Sequence, residues 1–116
     1  MKEIDDLSLK LIEMLAVQNP TPEQKKVQAL IKAALLSKNL LAFINEVDRA
    51  LAGFGPVNRE TVKGVIEYAR AHNEAQIRNL NLADDEIERL VEKENNRLTE
   101  VEVWILGTLA YLGVLK

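Results

Sequence analysis

The chain has 116 residues, 47% of them hydrophobic and 28% charged, with 15 basic and 18 acidic residues and a net charge of −3. That balance describes one soluble-type globular domain, residues 1–116, long enough to enclose a core. The lack of any cysteine excludes disulfides, thiolate metal centres and cysteine nucleophiles, and the mild acidity argues against a polyanionic partner.

Only 4% of the residues are aromatic, so the core is expected to be built from Leu, Ile, Val and Ala. The first residues, Met1 to Asp6, are charged and lack the apolar centre of a signal peptide, which gives a cytoplasmic location as the expectation. Residues 4–18 then place Ile4, Leu7, Leu11, Met14 and Leu15 along one helical face. Asn19 to Pro22 end that segment and begin the next. Thr21 as N-cap, Pro22 at the first helical position and Gln24 three residues on form a capping box. The helix that follows presents Val27, Leu30, Ile31 and Ala34.

Ser37, Lys38 and Asn39 interrupt this face, either as a break or as a kink in one helix from 22 to 52. Beyond them Leu40, Phe43, Ile44, Val47 and Leu51 make a new stripe, expected as a helix over about 39–52 and stopped by Gly53 to Pro56. Asn58 is the expected cap of the next helix, whose inner face is Val62, Val65, Ile66 and Ala69. That face continues to Ile77 and Leu80 but takes in Asn73 and Gln76. Asn79 and Asn81 mark its exit. A further helix is expected over 82–96, with Ile87, Leu90 and Val91 inward and Asn95 and Asn96 closing it.

The last stretch, Val103 to Leu115, holds no charge and only Gly107, Thr108 and Gly113 from outside the hydrophobic set. A segment apolar on every side is expected to be surrounded by the others, and it is shorter than the roughly 20 residues a membrane span requires. Thr99 and Glu102 have the spacing of a capping box, Leu98 and Val103 that of a hydrophobic staple, and Gly113 that of a C-terminal stop. A strand over 101–105 is the competing reading, but no second strand offers it a partner. The expected architecture is therefore all-α: a single compact bundle of five or six short antiparallel helices packed around an apolar C-terminal helix.

Catalytic signatures are absent: no lysine motif follows Gly55, there is no Gly-x-Ser-x-Gly, and the single histidine cannot build a histidine-rich metal centre. No cofactor or metal is implied. One polar group stands out, because His72, Asn73 and Gln76 flank an apolar face and Glu94 falls within the apolar arc of the next helix. Pairing of the two helices brings them together, either as a ligand pocket with Glu94 and His72 as acid–base pair, or as helix ends leaving the core. Trp104 and Tyr111 lie on one side of the last helix, and Gly107 with Ala110 leaves room for another helix, from this chain or from a second copy in a homo-oligomer.

Charge is unevenly spread. Between Asp84 and Glu102 eight acids face three bases, and Asp84, Glu88 and Glu92 form one row at i, i+4 spacing. The helix dipole accounts for acids in the first turn but not for Glu88 and Glu92. Arg49, Arg59, Lys63, Arg70 and Arg78 are matched by five acids between 41 and 80, so no basic stripe is offered to nucleic acid. The expected function is a non-enzymatic protein-binding module, such as an inhibitor, immunity-type, adaptor or assembly protein, with the acidic row meeting a basic patch on its partner. The alternative is an enzyme or small-molecule binder using the polar group.

Overall fold

The computed structural model describes residues 19–50 and 55–116. Four helices account for most of them: α1 (Pro22–Leu36), α2 (Leu40–Ala50), α3 (Arg59–Arg78) and α4 (Asp84–Tyr111). The helix expected over 4–18, Leu51, and the turn at Gly53 and Phe54 lie outside the described residues. None of the described helices is long and apolar enough to cross a membrane.

The start of α1 is fixed by the capping box read from the sequence. The Gln24 amide donates to Thr21 Oγ1 at 3.1 Å and the Thr21 amide donates to Gln24 Oε1 at 2.9 Å, so two of the helix-end N–H groups gain partners. Its inner face is Val27, Leu30, Ile31, Ala34 and Leu35. The helix ends where Ser37 turns to an extended conformation and its amide and hydroxyl both donate to the Ala33 carbonyl. Asn39 then accepts from the Ala42 amide at 2.8 Å and starts α2. The segment 22–50 is therefore two helices. In α2, Phe43 and Val47 are buried, while Leu40, expected inward, is 43% exposed.

Asn58 caps α3 by accepting from the Glu60 amide at 2.8 Å, and its own amide donates to the Glu23 carboxylate at 2.7 Å. That long-range bond ties the start of α1 to the start of α3. With help from Thr61, it holds the Glu23 carboxyl below the usual carboxylate range. The C-terminus closes the same end of the bundle. Val57 and Leu115 form an isolated parallel bridge, with Val57 N–H donating to the Val114 carbonyl and Lys116 N–H to the Val57 carbonyl. The chain reaches that bridge by a Schellman turn: Gly113 has φ of 75°, and the Gly113 and Val114 amides donate back to Ala110 and Leu109.

The largest departure from the sequence reading is α4. Residues 84–111 are one helix of 28 residues, where two helices were expected with a boundary at Asn95 to Thr99. Thr99 is not a cap. Its hydroxyl donates to the Asn95 carbonyl one turn back, at 2.9 Å, and accepts from Arg70 at 2.8 Å. Two asparagines within a helix cost at most about 0.7 kcal/mol each, whereas a break there would orphan up to four carbonyls and four N–H groups. Leu98 and Glu94, buried on either side of the supposed boundary, also require the helix to keep its direction along α3. Continuity therefore wins over the local capping pattern.

The C-terminal half of α4 is also not buried all round. Val101, Ile105, Thr108 and Leu109 face the core, but Val103 is 63% exposed and Tyr111 77% exposed. The main core joins α1, α2 and α3 to this half through Leu98, Val101, Ile105 and Leu109. A smaller cluster, Ile77 and Val91 with Leu80, Ile87 and Leu90 against them, lies at the other end of the α3–α4 pair.

Candidate functional site

The two apolar clusters are separated by a polar seam. On α3 the inward sequence is Ala69, Asn73, Ile77, and on α4 it is Leu98, Glu94, Val91, so Asn73 and Glu94 occupy the layer between main core and satellite. Both are buried, at 1% and 5% exposure. Asn73 Nδ2 donates to Glu94 Oε2 at 3.4 Å, and Arg97 Nη1 lies 3.6 Å from Glu94 Oε1. The residue spacing explains the match. Arg97 is one turn along from Glu94 on the same helix, so the charge that closes the seam is supplied in place. A buried carboxylate is costly unless it is paired and hydrogen-bonded; here Arg97 supplies a counter-charge at ion-pair distance and Asn73 one long hydrogen bond.

His72 reaches this seam only at its edge. Its Nδ1 lies 3.2 Å from Asn73 Oδ1, and its ring stacks on Tyr68 with centroids 6.2 Å apart. Asn73 therefore stands between His72 and Glu94, and the amide can orient both but cannot pass a proton as an acid or base. Gln76 is half-buried on α3 and is not hydrogen-bonded to the group. Arg70 extends the contact toward the main core by donating to the Asn95 carbonyl at 2.9 Å. Three of the four residues picked from the sequence are thus brought together. Two open clefts lie elsewhere: one of about 720 Å³ where α1 and α3 begin, lined by Thr21, Glu23, Glu60 and Gly64 among others, and one of about 520 Å³ between α1 and α2 beside Ala33, Leu36 and Ala42. Neither is walled by the seam. Among the described residues no group of three or more His, Asp or Glu is placed to hold a metal.

The acidic row is solvent-facing, with Asp84, Glu88 and Glu92 all exposed. Its middle member is engaged. Arg78 Nη1 donates to Glu88 Oε1 at 2.7 Å and Arg78 Nε to Glu74 Oε2 at 3.2 Å, and these carboxylates push the Arg78 guanidinium pKa above its usual value. The pair pins the end of α3 to the start of α4. Asp84, Asp85, Glu86 and Glu92 give the outer side of this half an acidic excess over its exposed bases Arg89 and Lys93.

Sequence reasoning missed what lies beyond Glu92 on the same side. Asp85, Arg89, Glu92, Asn96, Glu100, Val103, Gly107 and Ala110 follow one another at spacings of three and four residues, so they share one outward line along α4, charged of both signs as far as Glu100 and apolar beyond it. All eight are exposed. Tyr111 flanks the line at its end, whereas Trp104 turns inward and packs on Phe43 with centroids 5.9 Å apart. Apolar residues all round had implied burial all round. The available signal was the break in size at Gly107 and Ala110, which leaves that face without the bulk a core position carries. No protein-family model, curated protein or solved structure matches the chain.

Proposed function

We propose that this protein is a non-enzymatic protein-binding module that meets its partner through the solvent face of α4. The observation that carries the reading is the open outer face itself: five exposed acids against Arg89 from Asp84 to Glu92, then exposed Val103, Gly107, Ala110 and Tyr111, on one continuous helix. Contiguous exposed apolar surface beside a charged margin is the composition of an interaction site rather than of inert surface. Asp84 and Glu92, with Glu88 shared by Arg78, attract a basic patch and repel a phosphate backbone.

The test is capture of a partner from the native cell on immobilised wild-type protein and on the Glu88→Lys/Glu92→Lys variant. The reading expects a protein retained by the wild type, released as salt is raised, and lost from the variant while thermal stability changes little. Equal retention by both at low salt removes the acidic row from the interface.

A further inference from the structure

Helix α1 is apolar on two sides. Val27, Leu30, Ile31, Ala34 and Leu35 face the core, and on the opposite side Ala29, Ala33 and Leu36 follow one another at spacings of four and three. Leu36 is 57% exposed, Ala29 is exposed and Ala33 is half-buried. These three line the open cleft of about 520 Å³ between α1 and α2, together with Ala42 of α2 and the charged Lys32, Lys38 and Glu46. Glu46 is paired with Arg49, which leaves the two lysines to set the charge of the cleft.

The chain that leads into α1 matches this side in length, register and charge. Residues 4–18 lie outside the described residues, and their sequence sets Ile4, Leu7, Leu11, Met14 and Leu15 on one helical face. Only Asn19, Pro20 and Thr21 join them to α1, and a connection that short joins antiparallel neighbours. Asn19 has φ of 52°, the left-handed geometry common just past a helix C-terminus, and Pro20 follows it. As a helix, residues 4–18 span about 22 Å at 1.5 Å per residue, the length of the 15-residue α1.

Folding back about that turn sets Leu11 opposite Ala29, Leu7 opposite Ala33 and Ile4 opposite Leu36, so large side chains meet small ones in two of three layers. Leu15 comes to Lys25, whose aliphatic stem can cover it. Leu9 and Glu13 fall on the far side. Glu3, Asp5 and Asp6 outnumber Lys2 at the end that reaches Lys32 and Lys38. A segment tethered this closely has an effective concentration on the order of millimolar, so it fills the cleft ahead of a second copy or another protein.

We propose that residues 4–18 double back along the outer side of α1 and dock as an amphipathic helix in the α1–α2 cleft, Leu7 and Leu11 against Ala33 and Ala29 and the acidic end at Lys32 and Lys38. The cleft is then a seat for the chain's own segment rather than a site for a partner. The inference is independent of the reading of α4.

The chain has no cysteine, so paired substitutions in the full-length protein test this directly. Leu7→Cys/Ala33→Cys and Leu11→Cys/Ala29→Cys should each close a disulfide within one molecule on mild oxidation at low protein concentration. Leu7→Cys/Ala71→Cys, with its second position on the exposed side of α3, should stay reduced. By NMR, Leu7→Asp/Leu11→Asp should move the amides of Ala29, Ala33, Leu36 and Ala42 and leave the outer side of α4 unchanged. Hydrogen-exchange protection within residues 7–15 should fall about tenfold or more in that variant, and likewise in Leu36→Asp, made at an exposed position. The proposal is overturned if neither pair closes, if the Ala71 control closes as fast, if residues 7–15 are unprotected in wild type, or if the amide shifts centre on another face. Disulfides that link two molecules instead of closing within one overturn it too, since the segment would then come from a second copy.

Discussion

The two halves of α4 are one helix built on opposite principles. From Asp84 to Asn96 the surface is charged and the buried side is thin, with Val91 meeting Ile77 in a small cluster. From Arg97 to Tyr111 the buried side joins the main core, and from Val103 onward the outer side is apolar yet open. The first half keeps its place by specific contacts: Arg78 on Glu88, Asn73 on Glu94, Arg70 on Asn95 and Thr99. The second half keeps its place by packing. The comparison teaches that apolar composition alone does not decide which side of a helix is covered, because only the side that faces α1, α2 and α3 finds something to bury against.

The largest effect should come from the core side of the second half. Leu109→Ala removes a side chain that is 1% exposed and should cost about 2–5 kcal/mol in denaturant unfolding through the cavity it leaves. Val103→Ala, six residues earlier on the outer face, should stay within about 0.5 kcal/mol. Equal losses at the two positions would mean that the outer side is covered after all.

The seam dividing the halves should respond asymmetrically. Arg97→Met leaves Glu94 buried beside a lost cation and should destabilise by about 1–3 kcal/mol. The double change Glu94→Leu/Arg97→Leu should recover most of that loss, since a buried ion pair replaced by apolar groups is often neutral or better. A double variant that folds well yet loses partner capture would instead give the seam a role in binding.

Capping separates the true helix start from the apparent one. Thr21→Ala removes a cap and should cost about 0.5–2 kcal/mol. Thr99→Ala removes an exposed hydroxyl that bonds Arg70 and the Asn95 carbonyl but caps no helix end, and should cost less, measured under the same conditions. The smallest effects should be gains. Asn96→Ala and Gly107→Ala improve helix propensity at exposed positions and should stabilise by about 0.5–1 kcal/mol or less. A loss at Asn96 would place a helix end there.

Much of the bundle was legible in the sequence because its signals are local. The Thr21 and Gln24 box, the Asn58 cap, the inner faces of α1 and α3 and the Gly113 stop each depend on a few residues and appear as read. The pairing of Asn73 with Glu94 was also legible, since each interrupts an apolar face at matching depth. The misread features depend on what lies across from them. Thr99 and Glu102 satisfy a capping pattern, but Arg70 of α3 takes the Thr99 hydroxyl and the buried faces of Leu98 and Glu94 demand one continuous helix. Glu88 looked free in its row until Arg78, ten residues before it, closed on it. The exposed apolar line was signalled only by the small residues Gly107 and Ala110, because sequence shows which residues are apolar and not which of them are covered.

The charged and apolar parts of the outer face lie on one helix only if α4 does not turn between Asn95 and Thr99. The chain has no cysteine, so spin labels at Glu92→Cys and Ala110→Cys report a single pair by pulsed electron resonance. A continuous helix over those 18 residues predicts one narrow distance distribution centred at about 27 Å between backbone positions, widened only by the label arms. A shorter or broad distribution, as from two helices folded at Asn95 to Thr99, would contradict it.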